Sequence, residues 1–387
     1  MTQSVIAHTL LTGSSEAGCD LGSQILEAFG GKAPQVLILF ASPQHDHERL
    51  LRAVEASCHP EILVGCSTAG EFTTQAQTAG SACAVALRSE DMAFASGLGR
   101  GMRENCPAVA RDLVSSFRGM TCHTYPYRTA LILTDALSGH AEELVEHVNL
   151  LTAGQYQLFG GGAGDDARFQ STQVFHGTEV ASNAVVALEI LSHKPLGLGM
   201  GHGWQPGSAA MRVTSADGLR LSSLNAVPVL EVFEDYAAAT GQVFDQTDPT
   251  PFFLHNVIGI HTEEGPKLRA PLRINPDGSI TCAAEVPSGA MVHIMSVKAD
   301  PCEAAARATQ AAMQQLNGQE PQVALFFECV ATHVRLGAES NRVLQAVETG
   351  IAPAGYAGFN TIGQIIRSDG QFSGFHNCSA VVCVIPA

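Results

Sequence analysis

Basic residues are scarce in this chain. Lysine and arginine number 21 against 37 aspartates and glutamates, a net charge of −16 over 387 residues. Nucleic-acid phosphates are held by clusters of Lys and Arg. No such cluster occurs, which excludes a nucleic-acid partner and disfavours an anionic membrane surface for the same reason. Long apolar runs are missing too: none approaches the roughly 20 residues that span a bilayer. The opening Met1-Thr2-Gln3-Ser4 has neither the basic region nor the apolar stretch of a signal peptide. The expectation is a cytoplasmic protein.

Several chemical signatures are also absent. The 11 cysteines, an odd count in a chain without secretion signals, include no Cys-x-x-Cys, so a zinc knuckle or ferredoxin cluster is unsupported. Cys83 and Cys383 lie in apolar runs and read as small buried thiols. Cys329 with His333 and Cys378 with Cys383 are weak as metal spacings. The glycines at 160–164 look like a phosphate loop, but Asp165 and Asp166 follow instead of Gly-Lys-Ser/Thr, and two carboxylates there repel phosphate. No Gly-x-Ser-x-Gly elbow surrounds Ser67, and nothing local activates Cys66 as a nucleophile.

What is present is a pattern written three times: strand, helix, glycine turn, strand. The first copy runs from Val36–Phe40 through a helix near Leu50–Val54 to the turn Gly65–Phe72, and closes with Ala82–Leu87. The last runs from Val323–Phe327 through Arg342–Val347 to Gly358–Ile365, and closes with Ala380–Val384. The two turns align Gly65 with Gly358, Thr68 with Thr361, Gly70 with Gly363 and Glu71 with Gln364. A looser middle copy runs Ala130–Asp135, Glu142–Leu151, Gly160–Asp166 and Ala184–Leu188. Spacing of about a domain marks duplication and not a solenoid. Equivalent loops of duplicated units tend to converge on one cleft, a place for a small ligand.

The alternation of Val/Ile/Leu/Ala strands with helical stretches predicts an α/β fold: two lobes of mixed sheets flanked by helices. Further helices are predicted over Cys19–Phe29, Ala108–Phe117, Val229–Thr240 and Cys302–Leu316, and further strands over Met211–Thr214, Val257–Ile260, Leu272–Ile274 and Met291–Ser296. Glycine occupies every second position from Gly197 to Gly203, so one face of a strand there is bare backbone. That suits either a flat ligand or a packed neighbouring strand. The main boundary is placed near here, before Val229. No low-complexity tail, coiled coil or output domain is seen.

Candidate binding groups follow from this layout. Glu71 and Gln364, at matching places, are an acid and an amide able to read an amine or amide, or else to satisfy their own turns. Ser67, Thr68, Asn360 and Thr361 supply further polar contacts. Of 15 histidines, His45 and His47 sit in a polar loop facing water, and His255, His261, His293 and His333 show no pattern. His202 stands between Gly201 and Gly203 beside Trp204, the only tryptophan, and an imidazole so uncrowded can reach a planar cofactor. His376 enters the final strand and is a candidate to line the cleft.

The segments Val64–Phe72, Phe159–Asp165, Leu224–Glu231, Gly355–Gly363 and Phe375–Cys378, in this order, resemble the bacterial FIST sensory-domain family over nearly the whole chain. The resemblance implies an N-terminal domain over 1–215 and a C-terminal domain over 216–387. It implies ligand sensing in signal transduction and not enzyme activity. A stand-alone subgroup it resembles senses nitric oxide through haem and controls a partner histidine kinase, and with it cyclic-di-GMP and biofilm behaviour. On that reading haem b is held through His202, with Trp204 and His376 beside it. The alternative is a haem-free sensor of a small amino-acid-like ligand between the lobes, bound by Ser67, Thr68, Glu71, Asn360, Thr361 and Gln364. Homodimerisation is compatible with either. Two departures from the family pattern are Gln364, where Glu is common, and Cys329–His333, which replaces a Cys-x-x-Arg-like run.

Overall fold

The computed structural model describes residues 1–297, 300–368 and 374–387. Its strands form three six-stranded sheets and one nine-stranded sheet, all mixed or antiparallel and flanked by helices. The three six-stranded sheets are one design repeated. In each, a leading strand is followed by a helix, a first strand, a second helix, a second strand, a hairpin and a closing strand.

The first strand pairs parallel with the second and antiparallel with the closing strand in every copy. These trios are Val36–Ala41 with Ile62–Ser67 and Ala82–Ser89, Tyr127–Thr134 with Gln157–Gly162 and Ala184–Ser192, and Pro321–Cys329 with Gly355–Thr361 and Ala380–Pro386. The middle copy, loose in sequence, is thus as complete as the others. The leading strands Thr2–Thr9, Met92–Arg100 and Gly197–Gly201 each pair with the closing strand of their own unit.

The hairpins do not stay at home. Glu71–Thr73 of the first unit pairs with Gly355–Thr361 of the third. Gln364–Arg367 of the third pairs with Gln157–Gly162 of the second. Val174–His176 of the second pairs with Ile62–Ser67 of the first. Each unit therefore gives a hairpin to one neighbour and receives one from the other, in a closed cycle.

Three glycines make this possible. Within the parallel pairs Gly65 lies opposite Leu39, Gly160 opposite Ile132 and Gly358 opposite Phe326. A Cβ at each would fall 1.9, 2.1 and 1.7 Å from the facing carbonyl oxygen. The glycine run at 160–162 is accordingly strand, not a loop that cradles phosphate. The donated residues opposite these glycines are Phe175, Ile365 and Phe72, each buried. Between the sheets lies a shared core in which Phe40 of the first unit and Phe159 of the second each stand 6.1 Å from Phe327 of the third.

A helix covers the bare face of the alternating glycines of 197–201, where a flat ligand or a packed strand was expected. These glycines seat the helix Pro301–Gln315: a Cβ at Gly197, Gly199 or Gly201 would lie 1.9, 1.9 or 2.0 Å from the carbonyl oxygen of Ala312, Ala308 or Ala304. Two strand residues advance about 6.6 Å and four helix residues about 6.0 Å, so an i, i+2 glycine row matches an i, i+4 alanine row. Residues 204–297 form the nine-stranded sheet with the helix Val229–Thr240 against its own core. They are inserted between the leading strand and first helix of the third unit.

The helices foreseen over Val229–Thr240 and Cys302–Leu316 form, the second from Pro301 to Gln315. Those foreseen over Cys19–Phe29 and Ala108–Phe117 form too, as Ser14–Ala28 and Met102–Ser115; that these helices, each with a strand before it, belong to the repeat, and that hairpins are exchanged, was not foreseen. Among the described residues no helix is long and apolar enough to cross a membrane.

Substituting Gly199→Ala forces strand and helix apart. We expect a loss of about 1–3 kcal/mol, seen as a lower urea midpoint; an unchanged midpoint would contradict this close seating.

Candidate functional site

The glycine turns of the three units do converge, and where they meet they bond to one another. The Gly164 amide donates to the Ser67 carbonyl and the Ser67 hydroxyl to the Gly164 carbonyl, both at 2.8 Å. The Ala69 amide donates to Asn360 O and the Asn360 amide to Gly70 O. The Gly162 amide donates to Gly363 O and the Ile362 amide to Gly162 O, each at 3.0 Å. Ser67 also accepts from the Gln173 amide, and Asp165 accepts from the amides of Phe169, Gln170 and Ser171. Backbone groups that water would otherwise satisfy are paired across the hub, which makes it a knot and not a cleft. Asn360 Oδ1 is buried here without a hydrogen-bond partner.

Thr68 with Glu71 and Thr361 with Gln364 make the same contact in two units. Glu71 Oε1 accepts from the Thr68 hydroxyl and Oε2 from Ser81 at 2.7 Å. Gln364 Nε2 donates to Thr361 Oγ1 at 2.6 Å, and its Oε1 accepts from the Ser379 amide. Ser81 and Ser379 are equivalent, each just ahead of its closing strand. All four turn side chains are fully buried, so each acid or amide serves its own turn. Burial pushes the Glu71 carboxyl up to about 7, against the pull of the Thr68 and Ser81 hydrogen bonds. From Ser81 the hydroxyl chain continues to Thr78 and the half-buried His8, at 2.7 and 3.0 Å.

Two cavities lie at the seam between the inserted sheet and the repeats, one on either side of Trp204. One cavity, of about 370 Å³, is lined by Met200, His202, Trp204, His261, His293 and Arg307 among others. The other, of about 360 Å³, is apolar, with Phe169, Trp204, Phe253, Leu272, Val334 and Cys378 in its wall. Trp204 is held by a hydrogen bond from Nε1 to the Cys378 carbonyl (3.1 Å), and the Arg335 guanidinium stands 5.7 Å from its ring centre.

His202 lines the first cavity, and burial, with Arg307 nearby, brings its imidazole down to about 4. It is neutral at physiological pH, and its Nδ1 accepts from the Trp204 amide at 3.3 Å, which leaves the proton on Nε2. His293 has the opposite tautomer. Its Nδ1 faces the Ser208 carbonyl at 3.0 Å; a carbonyl only accepts, so Nδ1 carries a proton, and Nε2 is the nitrogen left to ligate in the neutral ring. His376 lies instead on Gly374–His376, opposite Gln364, and lines a separate cavity of about 320 Å³ with Glu142, Glu146, Glu263 and Lys267.

Two other sequence readings change. His45 and His47 do not face water: both are buried, His47 between Gln173 Oε1 (2.7 Å) and the Ser42 carbonyl (3.0 Å). Cys66 is sealed, and burial raises its thiol well above the ordinary range, so it is no nucleophile. Among the described residues no group of three or more His, Cys, Asp or Glu is placed to hold a metal ion. Sequence reasoning missed His293, Arg307, Arg335 and Cys378 as neighbours of Trp204. No local motif signals them, because they come from distant segments.

Residues 35–227 match the FIST N domain and residues 230–367 the FIST C domain. Two uncharacterized proteins of Mycobacterium tuberculosis, MT0656 and Rv0628c, are each 25% identical over 234 residues, 55% of this chain and 54% of theirs. The chain thus spans about half the length of the curated relatives it matches. Among solved structures, a cyanuric acid hydrolase from A. caulinodans is 6% identical over the whole of both chains at a TM-score of 0.34. PurLQS from Thermotoga maritima is 11% identical, over all of this chain and 73% of its own, at 0.20. Scores this low carry no argument.

The raised Glu71 carboxyl has a consequence for stability. The folded state holds a proton that the unfolded state releases near pH 4.5, so stability falls as pH rises from there to about 7. Glu71→Gln, the residue its counterpart Gln364 already has, should remove a penalty on the order of 2–3 kcal/mol. Thermal melts at pH 5 and pH 8 check this: the variant should gain at pH 8 and match the parent at pH 5.

Proposed function

The chain belongs to the FIST family, whose domains are sensory domains of signal transduction, and we propose that it is a haem-based sensor of nitric oxide rather than an enzyme. The observation that carries the reading is the cavity pair at Trp204, where imidazoles and a guanidinium stand beside an apolar wall. The glycine-turn side chains Glu71 and Gln364 are committed within their own turns, so the reading rests on the seam and not on the hub.

The residues present suit haem b. One axial imidazole is enough to hold it, and the cavity offers three, those of His202, His261 and His293. His293 already has the ligating tautomer, its Nδ1–H fixed on the Ser208 carbonyl. His202 must first give up its Nε2 proton. Trp204, Met200, Pro206 and Pro266 supply apolar contact, and Arg307 supplies the cation that carboxylates of such a group require. When bound, haem would supply a ferrous iron able to take nitric oxide.

The seam also suits a switch. It joins the inserted sheet to the repeats through discrete polar links: Glu142 pairs with Lys267 at 2.6 Å and the buried Arg269 at 3.1 Å. Arg269 also donates to the Phe375 carbonyl, and Asn377 bonds the Leu268 and Ala270 backbone. A ligand with different affinity for two placements of the insert shifts their populations. On this reading a partner histidine kinase distinguishes them in the cytoplasm, the output implied by the stand-alone subgroup.

The test is a haemin titration of the haem-free chain, followed by reduction and nitric oxide. A Soret band saturating at one haem per chain and shifting with nitric oxide is expected. His293→Ala should weaken haemin binding at least tenfold, and His202→Ala less. No band, or one indifferent to both substitutions, would overturn the reading.

A further inference from the structure

Behind the apolar wall of the Trp204 seam two cysteines from distant segments share one packed cluster. Cys329 ends the first strand of the third unit; Cys378 just precedes its closing strand. The strands pair antiparallel with Glu328 opposite Ala380, and the Cys329 amide donates to the Ser379 carbonyl at 3.3 Å. The Cys378 thiol, and more weakly the amides of Cys378 and Ala331, favour the ionised form of the Cys329 sulfur. Both residues are buried in one small cluster with Trp204, Leu268 and Met295.

Three further features bear on their chemistry. Cys378 lines the apolar cavity, together with Val330 and Ala331, the two residues after Cys329. Arg335 interacts electrostatically with both sulfurs. Burial keeps the neighbouring Glu328 carboxyl protonated up to about 8, so it adds no repelling charge at neutral pH. In keeping with this surrounding of donors, chiefly the Cys378 thiol, the Cys329 thiol is lowered to about 6.

We propose that Cys329 and Cys378 form a peroxide-sensitive thiol–disulfide site in the wall of the Trp204 cavity. Hydrogen peroxide is small enough to enter through the apolar side. The Cys329 thiolate attacks one peroxide oxygen, the O–O bond breaks, hydroxide leaves, and Cys329 becomes a sulfenic acid. The Cys378 sulfur then attacks the Cys329 sulfur. The S–S bond forms, the S–O bond breaks, and the Cys378 proton leaves with the hydroxyl as water. In sum two thiols and one peroxide give one disulfide and two waters, with two electrons passing from sulfur to oxygen. The inference is independent of the haem reading. It adds a redox input at the same seam, because Cys378 holds Trp204 through its carbonyl.

Trp204, the only tryptophan, reports on the step directly. The haem-free chain is treated with a few-fold excess of hydrogen peroxide, then alkylated and mapped without reduction. A Cys329–Cys378 linked peptide is expected, with a change in tryptophan emission that dithiothreitol reverses. In Cys378→Ser, dimedone should trap the sulfenic acid on Cys329; in Cys329→Ser, Cys378 should stay unlabelled. If both cysteines remain fully alkylatable in the parent chain while the exposed Cys19 and half-exposed Cys122 are oxidised, the proposal is overturned, whatever the variants do.

Discussion

The fold depends on the close contact of two parallel strands, made three times, in which a glycine of the second strand lies on a carbonyl of the first. Gly65, Gly160 and Gly358 leave no room for a side chain there. Phe175, Ile365 and Phe72 of the donated hairpins stand opposite them in the next ladder position. Because every hairpin belongs to another unit, none of the three sheets is completed by its own segment of chain. The units share one core and one hydrogen-bonded hub, so loss of one exchange removes an edge from a neighbour as well. The backbone groups of the hub are paired by this arrangement, which leaves Asn360 Oδ1 without a partner and no cleft among the turns.

The two Trp204 cavities arise where the symmetry is broken. Only the third unit carries an insert between its leading strand and first helix, and the insert must be sealed against the repeats by side chains that the other units lack. Trp204 is the largest of these. It enters the seam directly after the glycine row on which the helix Pro301–Gln315 rests, and its ring divides a histidine-lined cavity from an apolar one. Arg335 over that ring comes from the short helix Val330–Leu336. It supplies an arginine near Cys329 although the residues after Cys329 lack the Cys-x-x-Arg-like run.

Duplication and divergence are both visible in the paired turns. Thr68–Glu71 and Thr361–Gln364 keep one hydrogen-bond geometry, while one copy has an acid and the other an amide. In a fully buried position the amide is neutral at every pH, whereas the acid resists ionisation. The first unit thus retains a titrating group, linked through hydroxyls to half-buried His8, that the third unit has lost.

Apolar periodicity and glycine punctuation determined much from sequence alone: the α/β class, the three copies, the helix Val229–Thr240 and the register that aligns Thr68 with Thr361 and Glu71 with Gln364. These are local patterns, or repeats of one, and local sterics suffice to produce them. The glycines of 197–201 announced a bare strand face, but which partner covers it depended on the alanine row of Pro301–Gln315, about a hundred residues on. The burial of His45 and His47, the tautomers of His202 and His293, and the packing of Cys329 with Cys378 were decided only by tertiary structure. Each depends on which backbone carbonyl, amide or thiol a distant strand brings within hydrogen-bond reach, and spacing along one chain segment carries no record of that.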